Sequence, residues 1–360
     1  MPPSSRVPPL LQPFVRLPED GSIVLLTSTL GASANWLLVR FLCDALGSHP
    51  AQEGEEEAAG RKNVILVSWM RDYEFWKQEA RKGGGLDLEK LRTDGQFAFV
   101  DGLSRLFLQE EQGAEAEAEV ERRPQGAFGG AAAAAGVQSA RASQTLPARG
   151  PPVRTTTPAR GPPPPPTAPT PQSATTPGLY TLRSPALDHL LETVKTALAA
   201  LRASDAATKT LIVLDNPDIL LATDPTLTPS SLTALFLTLQ SQPGVSHLLT
   251  HLQADTSLLA LSTPPQPLEI AQHNLIVKMG HMSRRILSVR VLDTGVARDV
   301  SGVLRGTENV DTWRNIGKIR TSQGNGHGLA TAEAIGMDVL YKVNGDGSVK
   351  VFERGAGGHV

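Results

Sequence analysis

Cysteine is almost missing from this chain: of 360 residues, only Cys43 carries a thiol. No disulfide framework can form within the chain, and a reducing compartment is expected. Cys43 sits in an apolar stretch and reads as a small core residue. Net charge is almost missing too. A formal charge of -2 gives no global field drawing the chain onto nucleic acid or a membrane surface. Aromatic residues make up 4% of the chain, which counts against a free-standing RNA-binding protein. No apolar run reaches the ~18 residues of a membrane-crossing helix. The opening "MPPSSRVPPLLQPFVRLPED" has prolines where a secretory leader needs an unbroken apolar core. A soluble, intracellular protein is expected.

One more absence is local. "IVLLTSTLGASANWLLVRFLCDAL", residues 23–46, has the strand, small-residue loop and helix layout of a phosphate-binding loop. A working loop reads G-x-x-x-x-G-K-[ST]. Its glycines let backbone N–H groups wrap the phosphates, its lysine meets the β and γ phosphates, and its hydroxyl ligates Mg²⁺. Laid on "STLGASAN", the glycine positions hold Ser28 and Ser33. The lysine position holds Ala34 and the hydroxyl position Asn35, with Gly31 off-register. No lysine occurs between Gly21 and Gly60. Arg40 lies a turn or more into the helix, too far along to substitute.

What the chain does have is an alternation of apolar runs and helical patterns. "NVILVSW" and "QFAFVD" read as strands, with a helix over Tyr73–Lys82 between them. After "SPALDHLLETVKTALAALRA" comes "KTLIVLD", a strand ending in Asp215 in the manner of a Walker B acid. Ser184 with Pro185, and Thr228 with Pro229, read as helix starts. "VSHLLTHLQAD" and "RRILSVRVLD" read as strands flanking a helix, and "DVLYKVNGDGSVKVFER" as a hairpin. Such alternation specifies an α/β fold with a mostly parallel central sheet flanked by helices. The layout suggests a P-loop NTPase-type fold with its phosphate loop lost, and an unrelated α/β domain fits the same pattern.

Residues 109–177 differ in kind: Pro, Ala, Thr and Glu dominate, ending in "RGPPPPPTAPTPQSATTP". This composition cannot bury enough apolar surface to pack and reads as a disordered linker. Residues 1–20 read as an N-terminal extension. Residues 21–108 and 178–305 form the discontinuous main domain, completed by the hairpin at 337–354. Residues 306–336 show no periodicity and read as an irregular insertion or as translated intron.

Several separated segments resemble, in order, fungal Elongator complex protein 6. They are "VLLTSTLGASANWLLVRFL", "VSWMRDYEFWKQEARKGGGLDLEKL", "FAFVDGLSRLF", "VRVLDTGVARDVSGVLR" and "VNGDGSVKVFERG". The resemblance implies a RecA-like fold without a functional phosphate loop, with the uridine chemistry in a different subunit; the degenerate loop leads to the expectation of no catalytic residue, cofactor or metal in this chain. It implies a ring with Elongator subunits four and five, attached to the remaining Elongator core. That complex modifies wobble uridines of tRNA in cytoplasm and nucleus, and tRNA is met through the assembled complex. Within the matching segments, Trp69, Arg71 and Trp76 are candidates for a subunit contact, or equally for core aromatics beside a surface charge. Arg298 and Asp299 are candidates for a subunit or RNA contact, or for a local ion pair. His247 and His251, four apart in a strand with no third ligand in view, do not suggest zinc.

Overall fold

The computed structural model describes residues 7–47, 61–106, 177–292, 294–295, 297–309 and 337–353. A 3₁₀ turn at Pro9–Leu11 leads into α1 (Gln12–Val15). Then come β1 (Ser22–Ser28), α2 (Asn35–Leu46), β2 (Asn63–Ser68), α3 (Tyr73–Gly84) and α4 (Leu88–Thr93). β3 (Phe97–Asp101) and β4 (Leu179–Thr181) follow, then α5 (Leu187–Ser204), β5 (Thr210–Asp215), α6 (Ile219–Thr223) and α7 (Pro229–Gln240). The chain closes with β6 (Val245–Gln253), α8 (Thr256–Leu259), α9 (Pro267–Met282), β7 (Arg285–Arg290), β8 (Gly302–Glu308), β9 (Met337–Val343) and β10 (Val349–Glu353).

Among the described residues, ten strands join one sheet in the order β10-β9-β8-β7-β1-β6-β5-β2-β3-β4. From β7 through β4 every pairing is parallel, and from β7 to β10 every pairing is antiparallel. The central strands are buried along nearly their whole length, which is why they read as continuous apolar runs rather than alternating ones. Two apolar clusters cover the two faces. Leu37, Phe41 and Trp76 lie in one, and Val194, Phe236 and Met279 in the other. The fold is α/β with a mostly parallel central sheet, in which the loop strand β1 and the acid-bearing strand β5 are separated by one strand, β6.

Several expectations need correction. Residues from Val7 onward belong to the core, because Val7, Leu11, Phe14 and Val15 are buried against the sheet. The prolines of this stretch do not interrupt a helix; they open its short turns, where no N–H is needed. The main domain does not stop at residue 305, since β8 continues to Glu308 and pairs with β7. Ser184 does not cap α5, whose N-cap is Ala186; its hydroxyl accepts the Ala186 N–H at 3.2 Å instead. Thr228 does cap α7, in a capping box with Ser231 and with Pro229 in the first turn. The expected linker, apart from Pro177, and residues 310–336 lie outside the described residues.

The N-terminal segment is fastened to the strand ends by His247. Its Nε2–H donates to the Pro18 carbonyl at 2.9 Å, and Nδ1 lies 3.7 Å from Asp20. Burial holds the imidazole below its ordinary pKa; the Pro18 bond and Asp20 oppose this, and Lys62 and Lys209 add to it. Above pH ~6.5 the ring is neutral both folded and unfolded. Below it the unfolded chain takes the proton first, so stability falls as pH drops through the lower folded value. Asp218, whose carboxyl burial raises, contributes with the opposite sign. Replacing His247 by Gln is therefore expected to flatten the wild-type loss of melting temperature below about pH 6.5. An unchanged pH profile in this variant would remove His247 as the cause.

Candidate functional site

Open α/β sheets take ligands beyond the carboxyl ends of their strands, where consecutive connections leave to opposite faces. Here that point lies between β1 and β6. The helix after β1, α2, packs on one face, and the helix after β6, α9, packs on the other. Strand register decides what fills it. Ser68, Asp215 and His251 stand in one row across β2, β5 and β6. Ser28 ends β1, two residues beyond the partner of His251.

These four side chains form one chain of hydrogen bonds. The Ser68 hydroxyl donates to Asp215 Oδ2 at 2.7 Å. His251 Nδ1 meets Asp215 Oδ1 at 2.9 Å, and its Nε2 meets Ser28 Oγ at 2.8 Å. Ser28 also reaches Gln253 Oε1 at 3.3 Å. Behind the row, Asp218 Oδ2 accepts from the Gln253 backbone at 3.0 Å and from Gln272 at 2.8 Å. Its Oδ1 has no partner among the described residues, and burial raises its carboxyl above the ordinary value.

Serine, histidine and aspartate joined through these nitrogens have the contacts of a nucleophile, base and orienting acid. Access is what they lack. Ser28, His251 and Asp215 are 3%, 2% and 1% exposed. The neighbouring N–H groups that would hold an oxyanion are already spent. Thr29 N donates to the Val289 carbonyl and Leu30 N to the Asp255 carboxylate. Two cavities, of about 250 and 510 Å³, lie at the other end of the sheet, near Ser22 and Arg285. The row therefore ties four adjacent strands together, with its serine closed to solvent.

The loop over it is drawn tight. Thr29 and Ala32 form a bridge, and Ala32 N donates to the Thr29 carbonyl at 2.9 Å. Gly31 sits at φ 85°, where an added Cβ would also meet Val291 at 3.2 Å. Ala34 is buried at the N-cap of α2, and the Asn35 N–H is taken by the Ser33 hydroxyl at 3.3 Å. No side chain of this loop supplies a cation. Arg40 is 4% exposed and turned away, donating to the carbonyls of Gly83 and Gly347.

The expected contact residues separate. Trp69 and Trp76 are both fully buried, in opposite core clusters, so neither is a surface contact. Trp69 drops beneath Gly102, where any Cβ would meet its ring at 2.8 Å. Trp76 packs edge-on with Phe75, their rings 5.5 Å apart. Arg71 is exposed, 5.2 Å over the Phe75 ring, and bonds its own neighbour's carbonyl, that of Met70. Arg298 and Asp299 are exposed, and Asp299 pairs with Lys342 at 3.3 Å. The structure does not bring Arg298 and Asp299 to Arg71 by any contact among the described residues. That Ser68 and His251 bond Asp215, and Ser28 bonds His251, carried no signal in the sequence, because strand register alone joins them.

No family model matches the chain, and no curated protein does. Among solved structures, a KaiC-like protein from the hyperthermophilic archaeon Pyrococcus horikoshii aligns with 97% of this chain and 97% of its own. The identity is 10% and the TM-score 0.46.

Proposed function

We propose that this chain is a non-catalytic, RecA-like subunit of the Elongator complex. In this reading it assembles with Elongator subunits four and five into a hexameric ring, in cytoplasm and nucleus, and supports wobble-uridine modification of tRNA. The multi-segment resemblance carries the choice of complex. The geometry of Asp215 supports the non-catalytic part. Asp215, the acid that would face Mg²⁺, is 1% exposed and held by Ser68 and His251.

Two measurements test this. Affinity purification from the native organism should recover subunits four and five, and recovery without them overturns the assembly. Purified chain with Mg²⁺ and ATP should release no phosphate above background. Restoring the loop chemistry with Ala34→Lys and Asn35→Thr should still give none, because His251 continues to hold Asp215. Saturable turnover by the wild-type chain would instead establish an ATPase with an atypical loop. Salt-dependent tRNA binding by the isolated chain would favour an RNA-binding protein.

A further inference from the structure

The cavity of about 510 Å³ lies between the N-terminal segment and the strands β7, β8 and β9. Its size falls in the range of about 300–1,000 Å³ that holds small organic ligands. Register builds its floor. Leu287, Gly306 and Met337 stand in one row across the three strands. Arg285 and Glu308 pair two residues further along, on the same face. Gly306 leaves a gap in the row, and Phe14 packs into it: a Cβ there would meet the Phe14 ring at 2.9 Å. Phe14 and Leu287 are buried and close the floor. Leu17 and Pro18 are half-buried and Met337 is 42% exposed, so the walls present apolar surface.

Five charged side chains also line the cavity, Arg16, Arg284 and Arg285 against Glu19 and Glu308, which leaves one cation in excess. Arg285 is fully engaged. Its Nε–H donates to Glu308 at 3.0 Å, and its Nη1 donates to the Phe14 carbonyl at 3.4 Å and to the Arg16 carbonyl. These bonds fasten the N-terminal segment over the strands and fix the shape of the cavity. Arg284 donates to the Asn309 carbonyl at 2.8 Å. Arg16 differs from both. It is exposed, and its guanidinium has no hydrogen bond or ion pair among the described residues.

We propose that this cavity binds a small amphipathic carboxylate, with its apolar body against Leu17, Pro18 and Met337 and its carboxylate on Arg16. A guanidinium takes a carboxylate through two parallel N–H bonds, which sets the orientation of the ligand. A purely polar anion would gain nothing from the apolar walls, and an amine would meet the excess cation. The site lies at the end of the sheet opposite the degenerate loop, and it does not depend on assembly with other subunits.

The test titrates the full chain with octanoate, octylamine and octanol by calorimetry, with NMR shifts locating the site. Octanoate should bind at one saturable site and shift signals of Phe14, Leu17 and Met337. Octylamine should bind about 10-fold more weakly or worse. Arg16→Glu should weaken octanoate about 10-fold and leave octanol unchanged, and Arg16→Gln should give a smaller loss. Met337→Asp should weaken octanoate and octanol alike. Val277→Asp, on the exposed side of α9, should change neither. Melting temperatures of both Arg16 variants should match the wild type, because that side chain is exposed. No saturable octanoate binding by the wild-type chain, or equal affinity for octylamine, overturns the proposal. Octanoate binding that neither Arg16 variant weakens overturns it as well, because the carboxylate then sits elsewhere.

Discussion

Replacing His251 by Ala is expected to cost about 3–5 kcal/mol of folding stability. The imidazole is 2% exposed and bonds the Asp215 carboxylate at 2.9 Å, so its removal leaves a carboxylate with one remaining donor, Ser68, away from water. For a domain of this size the melting temperature should fall by roughly 6–20 °C. The decisive comparison is with Asp215→Asn. That change removes the charge while keeping an oxygen for the Ser68 hydroxyl, so it should cost less. Combining the two should cost about as much as His251→Ala alone, giving a coupling of about 1–3 kcal/mol in a double-mutant cycle by urea unfolding. Additive losses would mean that the two side chains do not depend on each other.

Truncating Trp76 to Ala should cost about 3–5 kcal/mol, the range for a large buried aromatic. Its side chain is fully buried against the sheet, with the Phe75 ring edge-on beside it. Stability of the isolated chain and binding to subunits four and five should then fall together, since the loss lies in the folded state. Arg71→Ala is the contrasting case: an exposed side chain, expected to shift stability by no more than about 0.5 kcal/mol. A Trp76→Ala chain that stays fully stable and yet fails to assemble would return Trp76 to the interface.

Elements with their own local signal were readable. β1, β2 and β5 are uninterrupted apolar runs, and α7 announces itself with Thr228, Pro229 and Ser231. The hairpin of β9 and β10 is written in "NGDG". The elements without such a signal are short or polar. β4 is three residues long, α1 and α8 four, and α6 five. Pieces of that length have no helical stability of their own and exist because packing holds them. β8, "GVLRGTE", lacks strand character and is a strand because β7 and β9 offer it ladders on both sides.

The same division runs through the site. Loss of phosphate chemistry is a matter of residue type at fixed spacing along one loop, and Ser28, Ser33, Ala34 and Asn35 show it without any coordinates. The fold class likewise follows from the order of apolar runs and helical patterns along the chain. The fate of Asp215 does not. His251 is 36 residues away from it, and Ser28 is 223 away from His251. A shift of one residue in register would turn either side chain to the opposite face of the sheet. Burial of Trp69 and Trp76, and exposure of Leu30, were equally a matter of three-dimensional packing. An aromatic beside a charge has the same sequence whether the sheet covers it or a partner does, and only the positions of β2, α3 and Gly102 place both rings inside.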